Sequence, residues 1–304
     1  MKAYEETMTA LSRRIAEFSA RHRYHYHCLL AAKAFVERDY QEAIKFYKVA
    51  EDLDKGKKWT EVRFYFGMGM SLSDRGYATR AIGYLRQAKY LATWSRRYNG
   101  KPNSRFDVYI DGYLAYNLSK IGKSNEALEL LEKRLSIEKK KKSNNGIGYT
   151  YFSFGKVYKR IENYNKAISN YDKALKYLVE DKIRYVACVY QKSASLIANG
   201  DVHEAIECAQ KGLSITSDKL WETFLSALVH SALMHNDYNS VTSLKENIIP
   251  KLQEYGQYEA AVYYYEQLSN FYYEYGEVDV AFRYGKFTLE TQKQLHVELV
   301  ERGV

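Results

Sequence analysis

Seven times along the 304-residue chain the same pattern returns, and this repetition constrains the fold more than any other feature. Each instance is an apolar run, a polar turn, then an acidic or polar residue ahead of an alanine, with an aromatic or leucine four residues beyond. The instances are RDYQEAIKFYKVA from Arg38, RGYATRAIGYLRQA from Arg75, IGKSNEALELLEKR from Ile121 and IENYNKAISNYDKA from Ile161. NGDVHEAIECAQKG from Asn199, HNDYNSVTSLKENI from His235 and YGEVDVAFRYGKF from Tyr275 complete the series. Anchored on Ala43, Ala81, Ala127, Ala167, Ala205, Val241 and Ala281, the steps are 38, 46, 40, 38, 36 and 40 residues. A fixed period in this range marks stacked supersecondary units, each of which buries its apolar face only on its neighbours.

The clearest unit is YFSFGKVYKRIENYNKAISNYDKALKYL from Tyr151. Two antiparallel helices approach closely only where small residues meet, so Gly155 is expected to face Ala167, with Tyr158, Tyr171 and Ala174 sealing the gap around them. These positions resemble the tetratricopeptide repeat. The steps exceed its usual 34 residues, so helices or loops must be longer. The expectation is an all-α, right-handed superhelical solenoid of about seven tetratricopeptide-like hairpins, with the first helix of each lining the concave face.

Residues 1–22 read separately, as one amphipathic capping or linker helix (Tyr4, Met8, Leu11, Ile15, Phe18), with the repeat domain over 23–304. KKKKSNNG from Lys139 carries no periodicity and reads as a solvated loop between repeats. The N-terminus has charges where a signal peptide needs an apolar core, and the longest apolar stretch, HCLLAAKAFV, is interrupted by Lys33. Cys28, Cys188 and Cys208 are isolated, which excludes a disulfide framework. A cytoplasmic protein without a membrane partner is expected.

Little supports catalysis. No GxSxG, P-loop or HExxH occurs, and the glycines of GMGMSL, Gly67 and Gly69, read as small positions in a helix rather than a nucleotide turn. His22, His25 and His27 lack a carboxylate or cysteine to complete a metal set. The expectation is neither an enzyme nor a cofactor or metal protein. A net charge of +9 permits a nucleic-acid partner, but the cations lie beside acids, as in LEKRLSIEKKKK, and no helix-turn-helix is readable. Direct nucleic-acid binding by this chain is not expected.

The concave face carries more information. The repeat register turns inward Arg63, Phe66 and Met70, then Tyr109 and Tyr116, then Tyr149, Phe152, Lys156 and Lys159. Tyr190, His230, Tyr263, Glu266, Asn270 and Tyr273 continue the row. Tyrosine, at 31 residues the compositional outlier, offers contact area at low entropic cost and a hydroxyl for an extended backbone, which suits peptide recognition. Lys156 and Lys159 are spaced to hold a carboxylate. Other tyrosines, Tyr158 and Tyr171 among them, simply fill gaps between helices.

YQEAIKFYKVAEDL from Tyr40, ALELLEKRLSIE from Ala127, LWETFLSALVHSALMHNDYNSV from Leu220 and the ending AFRYGKFTLETQKQL from Ala281 carry a wider resemblance. Over roughly residues 24–300 the chain resembles the repeat domain of the Rap, neutral-protease regulator and PlcR-type (RRNPP) quorum-sensing receptors. The resemblance implies a short signalling peptide in the concave groove, its backbone held by an asparagine and flanked by charged residues. The position expected for that asparagine is Lys156 here, and Asn117 and Asn270 are the possible substitutes. The output domain of such receptors, a three-helix bundle or a helix-turn-helix, is not read in this sequence. The expected function is a cytoplasmic peptide receptor that couples its ligand to conformation or oligomeric state of a transcriptional or sporulation regulator; the alternative is a protein–protein scaffold without a small ligand. Seven aromatics between Tyr263 and Tyr275 exceed what one hairpin can bury, so a homodimer through the C-terminal repeats is expected.

Overall fold

The structure is a computed structural model describing residues 14–54, 61–99 and 104–301. It contains helices and turns and, among the described residues, no strand. Seven hairpins follow in order: α1 (Ala20–Val36) with α2 (Tyr40–Asp54), α3 (Val62–Asp74) with α4 (Ala78–Asn99), and α5 (Ser104–Lys120) with α6 (Ser124–Lys140). Next come α7 (Asn144–Arg160) with α8 (Tyr164–Tyr177), then α9 (Lys182–Asn199) with α10 (Val202–Ile215). α11 (Lys219–Leu233) with α12 (238–254) and α13 (Tyr258–Glu274) with α14 (Val278–Glu301) end the array. All seven anchor residues are buried, five of them alanines with no exposed surface. The 46-residue step is explained by α4, at 22 residues longer than α2 or α6.

One backbone device repeats with the sequence. In six of the seven hairpins the turn holds one residue in the left-handed region, at Arg38, Gly76, Gly122, Glu162, Gly200 and Gly276. The next residue donates its amide back to a carbonyl five positions earlier, as Asn163 does to Tyr158 at 2.9 Å and Asp201 to Leu196 at 2.9 Å. This pairs carbonyls that a helix end leaves unsatisfied, and glycine adopts the conformation without a Cβ penalty. The turn before α12 differs: Asp237 donates to Leu233 instead. α12 is irregular too, with a π-helical turn at Leu244–Ile248 ahead of Pro250, whose ring removes a donor and clashes with the preceding turn.

The chain packs as two compact units, Met1–Ile137 and Glu138–Val304. In the first, Tyr24, Ile44, Phe64, Met68, Leu72, Leu85, Ile110, Leu118 and Leu131 are fully buried. Gly69 brings α3 against α4, since a Cβ there would meet Leu85 at 2.8 Å. A buried charge cluster joins α4, α5 and α6. Asp111 receives Lys89 at 2.8 Å on one oxygen and Arg134 at 2.6 Å (Nη2) and 2.7 Å (Nε) on the other.

In the second unit Gly155 and Ala167 are both buried. A Cβ at Gly155 would lie 2.4 Å from the ring of Tyr171, so the small residue on α7 receives the large one on α8. Tyr171 is therefore what the glycine is for. Helix ends are capped by side chains: Ser143 accepts from the amide of Gly146, Asn163 from Lys166 and Asp181 from Arg184.

Two expectations for segments change. KKKKSNNG is mostly helical: Lys139 and Lys140 close α6, Asn144 opens α7, and Lys141 pairs with the buried Glu138 at 3.1 Å. Most of the expected 1–22 helix, residues 1–13, lies outside the described residues. Its described remainder is a short 3-10 turn at Ile15–Glu17, and extended Phe18 followed by the Ser19 cap starts α1 afresh.

Candidate functional site

In the first unit the inward row divides. Arg63 on α3 is exposed, and Tyr109 and Tyr116 on α5 are half-buried, with Lys120 Nζ 4.7 Å above the Tyr116 ring. Phe66 and Asn117 are corrected. Phe66 is buried, packed edge-on against Phe106 at 5.7 Å and Tyr113 at 6.1 Å, so it joins α3 to α5 rather than facing a ligand. Asn117 has no exposed surface. Its amide donates to Ser73 Oγ at 2.7 Å and to the Tyr113 carbonyl at 2.8 Å, so it does not serve as a backbone clamp. A rotation of one residue, about 100° on a helix, separates groove from core.

The second unit brings more of the row together. Tyr149 is buried, beneath Phe152 at 6.0 Å and the Arg184 guanidinium at 5.8 Å, so it supports the surface without forming it. Phe152 is half-buried: its ring rests 6.0 Å from Tyr171, and Lys156 Nζ lies 5.9 Å from it. One turn along, Lys159 crosses to α9 and donates to Gln191 Oε1 at 3.1 Å. Burial, and then the charge of Lys156, lower the pKa of Lys159 to about 8. An ammonium held there lacks the carboxylate that a buried lysine ordinarily finds.

Beside Gln191 on α9, Tyr190 opens an aromatic cluster with α11: its ring lies 5.9 Å from Trp221 and 5.5 Å from Phe224, which are 5.8 Å from each other. Its hydroxyl bonds that of Tyr264 on α13, and burial pushes its pKa up to about 12. Gln191, Trp221 and Phe224 were not foreseen. Trp221 and Phe224 are spaced i, i+3 on α11, a stripe that the single inward residue assigned there, His230, did not reveal.

His230 is corrected in its role. Ser240 gives its hydroxyl proton to Asp237 at 2.8 Å, so the 3.0 Å contact with His230 is a donation from Nδ1–H into Ser240 Oγ. The ring is engaged with the start of α12, and burial lowers its pKa. Although this joins a serine, a histidine and an aspartate, Ser240 is fully buried and its proton is taken by Asp237, so it makes no nucleophile. Farther on, Tyr263, Glu266, Asn270 and Tyr273 form an exposed stripe on α13.

Among the described residues no group of three His, Cys, Asp or Glu side chains is placed to hold a metal ion, and no helix is long and apolar enough to cross a membrane.

Residues 148–177, which span α7 and α8, match the tetratricopeptide repeat family. The transcriptional activator NprA of Geobacillus stearothermophilus is 21% identical over 294 residues, covering 90% of this chain and 69% of NprA. A Rap protein solved in complex with competence and sporulation factor superimposes with a TM-score of 0.78 at 16% identity, covering 98% of this chain and 82% of that one. NprR in complex with its cognate peptide NprX gives 0.73 at 15% identity, covering 96% and 81%. The chain has the helical-repeat fold of the Rap and NprR proteins, as the resemblance in its sequence implied.

Proposed function

We propose that this protein is a cytoplasmic receptor for a short linear signalling peptide and passes binding on to a regulator through conformation or oligomeric state. The observation that carries the reading is on α7 and α9. Half-buried Phe152 provides an apolar seat, and Lys159 is an ammonium whose neighbours are an amide oxygen and a second lysine. An acidic side chain or the C-terminal carboxylate of a peptide supplies the missing charge, while Phe152 and the Tyr190–Trp221–Phe224 cluster receive apolar side chains. The exposed α13 stripe, with Asn270 and Glu266 between tyrosines, offers donors and acceptors to an extended backbone. Asn270 is the remaining candidate for the asparagine clamp. The peptides held by the Rap and NprR relatives support this reading. No residue set for chemistry is assigned, and the protein is read as a binding protein.

The test is a screen of five-to-ten-residue peptides by calorimetric titration. Binding at micromolar or tighter affinity, lost when the peptide's carboxylates are amidated, supports the receptor. If no short peptide binds while larger protein partners do, the protein is a scaffold and the receptor reading fails.

A further inference from the structure

The second helices of the fourth and fifth hairpins, α8 and α10, flank an open cavity of about 620 Å³ whose floor is α9. The volume lies within the range of small-molecule sites, about 300–1,000 Å³. Its lining shares no residue with the peptide row of α7, α9, α11 and α13. On α9 the cavity takes Tyr185, Val189 and Lys192, spaced i, i+4, i+7 along one face, whereas Gln191 points to Lys159.

Charge is distributed unevenly along this cavity. At one end Lys192, with only 13% of its side chain exposed, bridges Asp172 of α8 at 3.0 Å and Glu204 of α10 at 3.1 Å. One ammonium offsets only one of the two carboxylates, so this end of the cavity keeps a net negative charge. That bridge sets the later half of α8 beside the start of α10, and their following residues, Lys176 and Lys211, lie on the side away from Lys192. Lys182, ten residues before Lys192 on antiparallel α9, is about 15 Å along the axis in the same direction. Among the described residues none of these three lysines has a carboxylate in ion-pair contact. The remaining acid of the lining, Glu207, has His203 beside it at 3.6 Å. Between the ends the surface is apolar, formed by Leu175, Val179, Val189 and Ile215. The lining's four lysines exceed its three acids by one, and the three lysines outside the bridge lie away from Asp172 and Glu204, so it is that end which favours an anionic group.

We propose that this cavity is a second binding site, which takes an amphiphilic anion: a small molecule with an apolar chain along α9 and a carboxylate or sulfonate head among Lys176, Lys182 and Lys211. Apolar burial supplies most of the affinity, and the lysines set its sign and orientation. The site is independent of the peptide row and stands or falls separately from it.

Decanoate is the probe, with decyltrimethylammonium as its charge-reversed counterpart, both kept below micelle formation. Binding is read by calorimetry and its location by alkylation of Cys208, which lines the cavity. Cys28, in the other unit, reports background reactivity. Decanoate is expected to bind one-to-one and to slow alkylation at Cys208 but not at Cys28. The double variant Lys182→Glu/Lys211→Glu, at two exposed positions, should weaken it about tenfold with an unchanged circular dichroism spectrum. Equal binding of the cation, no heat with decanoate, or undiminished affinity in the double variant would overturn the proposal. Should Cys208 resist alkylation in the free protein, the calorimetry of the charge-reversed variant decides alone.

Discussion

Lys159 donates its ammonium proton to Gln191 Oε1 at 3.1 Å, across the gap between α7 and α9, with Lys156 as its charged neighbour. Its folded pKa of about 8 lies below the ordinary 10.5. Between those values the unfolded chain holds more protons than the folded one, so this group makes stability rise with pH across that window and penalises the fold below it. Lys159→Met should therefore stabilise the protein by about 1–2 kcal/mol at pH 7, and the gain should shrink toward pH 10. Urea unfolding of both proteins at neutral and alkaline pH measures it. Equal stability at pH 7 would show that the ammonium is solvated.

Gly155 and Tyr171 set the crossing of α7 and α8. With Tyr171 fully buried, a Cβ 2.4 Å from its ring has nowhere to push it. Gly155→Ala should cost about 1–3 kcal/mol, and Tyr171→Leu in the same chain should return part of the loss by making room. Ala167→Leu, at another fully buried position, should cost a similar amount. Thermal unfolding of the three variants tests this, and a Gly155→Ala protein melting like wild type would refute the packing.

The anchors were legible because each must be small or β-branched wherever two helices close, and seven repeats average out the noise of any one. Which ring a glycine receives was less so, because that depends on how far each helix turns: Gly155 takes Tyr171, four residues past Ala167 on the same buried face. The same ambiguity misplaced Phe66 and Asn117, which a small rotation takes from groove to core. The four α13 residues assigned to the inward row do share one exposed stripe, punctuated by polar Glu266 and Asn270. Trp221 and Phe224 were missed because only His230 was read from α11, and it belongs with Lys219, Glu222 and Ser226 to another face of the helix.

Asp111 presents a different kind of dependence. It lies buried between Lys89 and Arg134, and the Arg134 side chain is only 7% exposed. Asp111→Ala removes a buried carboxylate that Lys89 and Arg134 both engage and should cost about 3–5 kcal/mol, whereas Asp111→Leu combined with Arg134→Met should recover most of it. Denaturant unfolding of single and double variants separates the two. A double variant no better than the single would mean that the pair's geometry, not its charge, holds α5 against α6.

At the C-terminal end Tyr264, Phe271 and Tyr272 are buried after all, so the hairpin accommodates more rings than its sequence suggested. Tyr263, Tyr273 and Tyr275 stay exposed, and α14 adds Phe282, Phe287 and Leu289. A hairpin with this much open apolar surface needs a cover, and a second copy is the proposed one. Light scattering at tens of micromolar should give a dimer mass, and Phe282→Glu/Leu289→Glu should give a monomer. A wild-type monomer with and without peptide would count against it.

Phe152 and Lys156 should contribute to peptide affinity in distinguishable ways. A half-buried ring that seats an apolar side chain typically costs on the order of 2 kcal/mol when truncated, and an exposed charge costs less. Phe152→Ala should thus weaken a bound peptide at least about tenfold with helix content unchanged, and the loss should be indifferent to salt. Lys156→Ala should weaken it by a smaller factor that shrinks as salt rises, because ions still reach a half-buried charge. Lys159→Met combines the two signatures: it removes a charge that solvent screens poorly, so its loss of affinity should persist at high salt. Calorimetric titration of the three variants at low and high salt reads all of this at once. If affinity is unchanged in all three, the ligand binds elsewhere, and the row on α7 is only the solvent face of the fourth hairpin.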